Sequence, residues 1–386
     1  MKRSGILLAL ILFFQFLFVS LPGPSRADRG SEGALGREIE EIRKENKDLK
    51  ARVEKLEAEE EEKGYKLGLF SGRVKISGYA DTEYIITDEE SENDGFRLHH
   101  FSLFFTADVH RQWRFFSEVE FEDAPFIEAK RTSDDPKVVQ GEFFVEQLFI
   151  EYHPSLNWNL RFGRLLTPIG IWNIFHYPPY VPTQRWPLMV RRLFPETSDG
   201  VQFRYSRELF GYRLDSHFYL ANGTGNPGGL DRNENKAVGL RLNYSLDLFN
   251  GFDIGASYYR DKDNSDVTRN TFAAHMLLNY SNLEMQAEFA DRNNSPRGSS
   301  GFNDRSFYVQ LLYDIGRWTV AGRYDWLDED DTLPDNEHTR YTAALNYHFA
   351  YNVVTKAEYN RNEFNDPAKS DFNEVILSIV LALGDL

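Results

Sequence analysis

From residue 72 onward, apolar and polar side chains alternate along the chain. This period of two restricts the fold more than any other feature of the 386 residues. In "FSLFFTADV", Phe101, Leu103, Phe105, Ala107 and Val109 alternate with Ser102, Thr106 and Asp108. "LEMQAEFAD" (283–291), "WTVAGRYDW" (318–326) and "VVTKAEY" (353–359) repeat the pattern. Successive strand residues point to opposite faces, so each run makes a strand with one apolar and one polar side. About sixteen such segments of about ten residues fit in the chain. Two of them are expected at 113–121 and 141–152.

The linkers alternate as well. Short ones such as "HRQ", "HPSL" and "IGR" are followed by long polar ones such as "DEESEND" and "DEDDTLPDNE". Aromatics mark the ends of the apolar faces, as at Trp113, Trp158, Tyr244, Tyr280, Trp318 and Tyr347. Short turns on one side, long loops on the other and aromatic girdles between them describe a transmembrane β-barrel. Lipid offers no partner to backbone N–H and C=O groups, so a spanning sheet must close on itself. The expected fold is all-β: a 16-stranded antiparallel transmembrane β-barrel over 65–386, preceded by an α-helical coiled coil.

The N-terminus supports this placement. Lys2 and Arg3 precede an apolar run from Gly5 to Leu21, and Ser25-Arg26-Ala27 resembles a cleavage site. Residues 1–27 therefore read as a secretory signal peptide. Residues 28–64 read as a periplasmic coiled coil with heptads over 35–59. Ile39, Asn46 and Val53 take a positions, while Leu35, Ile42, Leu49 and Leu56 take d positions. Such a narrow stripe finds burial against copies of itself. Asn46 at an a position suits a dimer. Arg52 and Glu57, flanking Val53 and Leu56, resemble a short trimerisation motif.

The polar strand faces would line a lumen. By parity they carry Arg114, Glu118, Glu120, Arg161, Arg204, Arg213, Asp215, Arg241, Arg323 and Lys356. A barrel of this strand number has room for water. One linker does not fit outside: "TPIGIWNIFHYPPYVPTQRWPLMVRRLF" (167–194), which holds Ile169, Trp172, Phe175, Tyr180 and Trp186 and is dense in proline. Folded inward over 166–198, it would brace its aromatics on the wall. Arg185, Arg191, Arg192 and His176 would then narrow the passage.

The stretch "FGRLLTPIG" (162–170) with its aromatic-proline continuation resembles bacterial porins of the phosphate-selective porin O and P superfamily. The heptad segment ahead of the barrel resembles DcaP-type members. The resemblance implies a homotrimer and passive, charge-selective diffusion. No dense arginine-lysine ladder is present, and the basic lumen residues are interleaved with acids.

Other functions fare worse. The chain has no cysteine, which excludes disulfides and thiolate metal sites. Its formal charge of −16 argues against general nucleic-acid binding. No nucleophile–base pair supports a barrel-embedded lipid hydrolase, because His275 and His348 fall on the lumen side. "DKDNSD" (261–266) lacks the glycine and distal glutamate of a calcium loop. No enzyme activity, cofactor or metal is expected. The expected function is an outer-membrane channel for small hydrophilic solutes with weak anion preference, phosphate or small organic anions included. The alternative is a tether joining the membrane to peptidoglycan through the coiled coil. Lipopolysaccharide would surround the outer end.

Overall fold

The computed structural model describes residues 74–128, 137–223 and 234–384. The expected signal peptide, the heptad segment and residues 65–73 lie outside the described residues.

Sixteen strands are present among the described residues. They begin with β1 (Val74–Thr87), β2 (Gly95–His110), β3 (Trp113–Glu128) and β4 (Lys137–Ser155). Next come β5 (Trp158–Leu166), β6 (Thr197–Leu209), β7 (Tyr212–Ala221) and β8 (Ala237–Leu246). Then follow β9 (Gly251–Lys262), β10 (Thr268–Tyr280), β11 (Leu283–Ser295) and β12 (Phe302–Ile315). The last four are β13 (Trp318–Asp328), β14 (Glu337–Ala350), β15 (Val353–Phe364) and β16 (Phe372–Leu383). Each pairs antiparallel with its sequence neighbours. β1 closes on β16, with Gly78 opposite Leu383 and Thr87 opposite Glu374. The sheet therefore has no free edge, and every strand ladder is satisfied on both sides.

Alternation sorts the two faces as the sequence predicts. Phe101, Phe289, Leu345, Leu377 and Ile379 are exposed on the outer surface, while their neighbours Ser102, Glu288, Asn346 and Ser378 are buried. Near the short turns, aromatic rings meet across strands, as in Trp113–Tyr152 at 4.7 Å and Trp318–Tyr347 at 4.6 Å. Toward the long loops, Tyr258 and Phe272 meet at 4.9 Å.

The turns obey backbone chemistry. Phe210 and Gly211 join β6 to β7 with φ of 55° and 84°. Two successive positive φ values give a turn whose twist matches that of the strands it links.

One difference from the expected spans has a clear cause. β3 runs on to Glu128 and β4 begins at Lys137, well beyond the expected 113–121 and 141–152. The pairing jumps from Glu122–Glu142 to Phe126–Gln140, and Asp123 and Ala124 take φ of 57° and 48°. The bulge removes Pro125, which has no N–H to give, from the ladder and lets pairing resume beyond it.

Candidate functional site: the inward loop and the lumen wall

The loop between β5 and β6, residues 167–196, lies inside the barrel. Its only regular element is a 3-10 turn over Trp172–Ile174. Prolines 168, 178, 179, 182 and 187 have no N–H. The loop therefore has more carbonyls than N–H groups, and the wall supplies donors as well as acceptors. Ile169, Trp172, Met189 and Leu193 are buried against an apolar patch of Tyr219, Tyr259, Ala273, Ala290, Tyr308 and Leu327. This apolar strip on an otherwise polar lumen face gives the loop a hydrophobic seat.

Hydrogen bonds then fix the loop around much of the circumference. At its foot, Glu288 of β11 accepts the N–H groups of Ile171 and Trp172 at 2.9 and 3.0 Å, and the Tyr308 hydroxyl at 2.7 Å. Gly170, at φ 64°, comes so close to Glu288 that an added Cβ would lie 1.7 Å from its Oε2. Arg241 of β8 donates to the Gly170 carbonyl at 3.0 Å. In the middle, Lys356 of β15 donates to the carbonyls of Pro178 and Val181 at 2.7 and 2.8 Å, and Asn346 of β14 donates to that of Pro182. Glu358 accepts the N–H groups of Gln184 and Arg185. Farther along, Arg323 of β13 donates to the Thr183 hydroxyl and the Arg185 carbonyl, both at 2.7 Å. Arg340 donates to the carbonyl of Trp186. Arg292 donates to the carbonyl of Arg192 at 2.6 Å, and Thr271 to that of Leu193 at 3.1 Å.

The four loop residues expected at the constriction differ in setting. Arg185 is held by Glu374 of β16 through two guanidinium nitrogens. Arg191 lies over the Trp186 ring, 4.2 Å from its centroid, and pairs with Glu196 at 2.8 Å. Arg192 pairs with Glu329, and its side chain is 60% exposed against 45% for Arg191. These two therefore meet water most openly. His176 is buried, with Nε2 2.9 Å from Glu146 of β4, and braces the loop against the wall. Burial opposes a proton on this imidazole, but Glu146 and Glu196 outweigh it and raise its pKa above the ordinary value.

The wall residues also separate into groups. Arg114 pairs with Asp108, and Arg213 pairs with Asp215, near the short turns. Arg161 donates to Glu151 at 2.6 Å and covers the Phe149 ring. Arg241, Arg323 and Lys356 are buried loop donors, as described above. Arg204 of β6 makes no side-chain hydrogen bond or ion pair with the described residues. It lies directly opposite His217 of β7, which lies opposite Arg241 of β8. A basic row thus crosses β6–β8. Glu118 and Glu120 of β3 are buried on the other side of β5, in an acidic sector formed by β1–β4.

That acidic sector is richer than alternation suggests. Asp81 pairs with His100 and Thr82 with Leu98, so His99 is an extra residue in a bulge. Both imidazoles turn to Asp81, at 3.2 and 2.8 Å. Likewise Glu118 pairs with Gln147 and Val119 with Val145, which leaves Glu146 extra. Glu146 and Gln147 are both buried inward. A bulge can re-aim a side chain in this way. Strict parity misses His99 and Glu146. The signal available in the sequence was the adjacent polar pairs "HH" and "EQ" inside alternating runs. Tyr79, Phe104 and Phe149 also face inward, where Tyr79 and Phe104 pack against Tyr177 of the loop.

Residues 196–367 match the family model of Gram-negative porins. Together with the closed sixteen-stranded sheet, the match supports an outer-membrane channel of porin type. An uncharacterized protein from Aquifex aeolicus (strain VF5) is 25% identical over 355 residues, covering 77% of this chain and 78% of its own. Among solved structures, an anion-selective porin from Comamonas acidovorans superposes with a TM-score of 0.60. It is 13% identical, over 80% of this chain and 99% of that one. OmpT of Vibrio cholerae, folded in vitro and in its trimer form, gives a TM-score of 0.57 at 14% identity, over 81% of this chain and all of its own. At such identities the likeness establishes the porin-type barrel and nothing finer.

Proposed function

We propose that this protein is a passive diffusion channel for small hydrophilic solutes with a weak preference for anions, phosphate or small organic anions among them. The observation that carries the preference is the row Arg204–His217–Arg241 on the inner wall, in which Arg204 makes no side-chain hydrogen bond or ion pair with the described residues and has Glu151 and Asp215 as its nearest opposing charges. A guanidinium held in no ion pair in a water-filled lumen attracts anions, and low-dielectric walls strengthen its field. Arg191 and Arg192 on the loop add to it. The anion selectivity stated for the Comamonas acidovorans porin is in keeping with this reading.

Planar-bilayer recording under a salt gradient tests it. The wild-type reversal potential should lie on the anion side, and Arg204→Glu should move it toward cations. Arg192→Ala should shift it in the same direction by less, because Glu329 already offsets that charge. A reversal potential unchanged by Arg204→Glu would rule out a lumen field set by this row.

The same reading extends to the N-terminus. Residues 1–27 would be removed as a signal, and 28–64 would form a periplasmic coiled coil through Ile39, Ile42, Asn46, Leu49, Arg52, Val53, Leu56 and Glu57. The chain would then form a homotrimer, as OmpT of Vibrio cholerae does in its trimer form. Its placement in the phosphate-selective porin O and P or DcaP-type superfamily rests on residues 162–170 and this segment. Deleting residues 30–63 should convert detergent-solubilised trimers to a mixture with monomers while conductance per channel persists. Trimers of undiminished stability would assign assembly to the barrel alone. A detached envelope in cells carrying the deletion would add a tethering role toward peptidoglycan.

A further inference from the structure

Three carboxylates converge with only two imidazoles beside them, His176 at 2.9 Å from Glu146 and His100 at 3.7 Å from Glu120. Glu118 and Glu120 sit two residues apart on the inner face of β3, and Glu146 is turned toward them by the bulge in β4. All three are buried, and one oxygen of each lies within 4.8 Å of the others. Their donors are few. Glu118 accepts from Ser102 at 3.1 Å and from Gln147 at 2.7 Å, and Glu120 accepts from Tyr79 at 2.9 Å. Glu146 Oε1 meets His176, but Oε2 is fully buried with no donor. Besides His176, the groups with a ligand atom within 4.8 Å of Glu146 include the carboxylates of Glu118, Glu120 and Glu196. Acceptor facing acceptor in a buried site is strongly unfavourable unless a shared proton or a cation lies between them.

The bulge makes this arrangement specific. Without the extra residue, strict alternation would send either Glu146 or Gln147 outward to lipid. The bulge instead delivers both, Gln147 to hold Glu118 and Glu146 to complete the triad.

We propose that Glu118, Glu120 and Glu146 form a binding site for one hard divalent cation, fastened beneath the inward loop. An all-oxygen carboxylate set of this kind suits magnesium, calcium or manganese. Two positive charges would offset most of the three negative ones. His176 would act as a positioning residue: bonded to the first oxygen of Glu146, it orients the second toward the ion. Bound there, the cation ties β3 to β4 at the point where the loop leans on the wall.

Mn2+ is the probe, added to the purified full-length protein in detergent after chelation and followed by electron paramagnetic resonance and metal analysis. One tightly held Mn2+ per chain is expected, displaced by excess Ca2+ or Mg2+. Glu146→Gln should weaken binding by at least about tenfold. The amide oxygen of the variant can still accept from His176 and one of three clustered negative charges is gone, so it should still fold, which heat-dependent gel mobility and unchanged channel insertion would verify. Glu284→Gln, a lumen carboxylate on β11 outside the triad, should bind Mn2+ like the wild type. The proposal is overturned if folded wild-type protein retains no Mn2+ above background, which would mean that shared protons relieve the triad. It is also overturned if Glu146→Gln and Glu284→Gln behave alike.

Discussion

Arg323→Ala should lower the unfolding free energy of the barrel by about 3–5 kcal/mol. The guanidinium is wholly buried, and its Nε donates to Asp325 at 2.8 Å. Its remaining donors hold Thr183 and the carbonyl of Arg185, and the group sits 5.5 Å from the centre of the Trp172 ring. Truncation leaves the Asp325 carboxylate buried without its counter-charge and strips two anchors from the loop. Lysine should rescue only part of the loss, because one ammonium cannot reach the places that the planar fork reaches. Urea titration of protein folded into lipid vesicles measures the effect. A loss below about 1 kcal/mol would mean that water fills the vacated space and solvates Asp325.

Glu288→Ala should release the foot of the loop. Three donors, the N–H groups of Ile171 and Trp172 and the Tyr308 hydroxyl, would lose their shared acceptor. Each buried donor left alone costs about 1–3 kcal/mol. The loop can escape that penalty only by moving toward water. Single-channel recordings should therefore show higher conductance and stronger open-state noise. Gly170→Ala should reproduce the noise, because its Cβ would collide with the same carboxylate and its φ of 64° disfavours a side chain. Quiet channels of unchanged conductance in both variants would show that the apolar seat and the remaining anchors hold the loop without Glu288.

Much of this molecule could be read from its sequence because lipid and water impose different rules on the two strand faces. The alternation around Phe101 and Ser102, or Phe289 and Glu288, identified strands, faces and closure. The inward loop was legible because "GIWNIFHYPPYVPTQRW" is too apolar to hang in solvent and too rich in proline to pair as a strand. The roles of its charges were not. Arg185 looks like a free cation until Glu374 is seen, 189 residues later in the chain. Lys356 and Arg323 look like pore-lining charges, yet they serve as donors to loop carbonyls. Parity also fails wherever a bulge adds a residue, which is why His99 and Glu146 escaped notice. Tyr219, Tyr259 and Tyr308 face inward for a reason that no local pattern encodes: a loop elsewhere in the chain needs a dry surface.

The anchors of the loop also determine when the channel can be completed. Gly170 waits for Arg241, 71 residues downstream, and Val181 for Lys356, 175 residues downstream. Contacts between such distant positions form late, because chain entropy must be lost before they contribute. The loop therefore cannot be seated until β15 and β16 have arrived and met β1. Until then Trp172, Met189, Leu193 and Phe194 have no surface to cover them. Assembly intermediates should carry this exposed segment as their sticky part, and the step that closes the cylinder is also the step that shapes its bore.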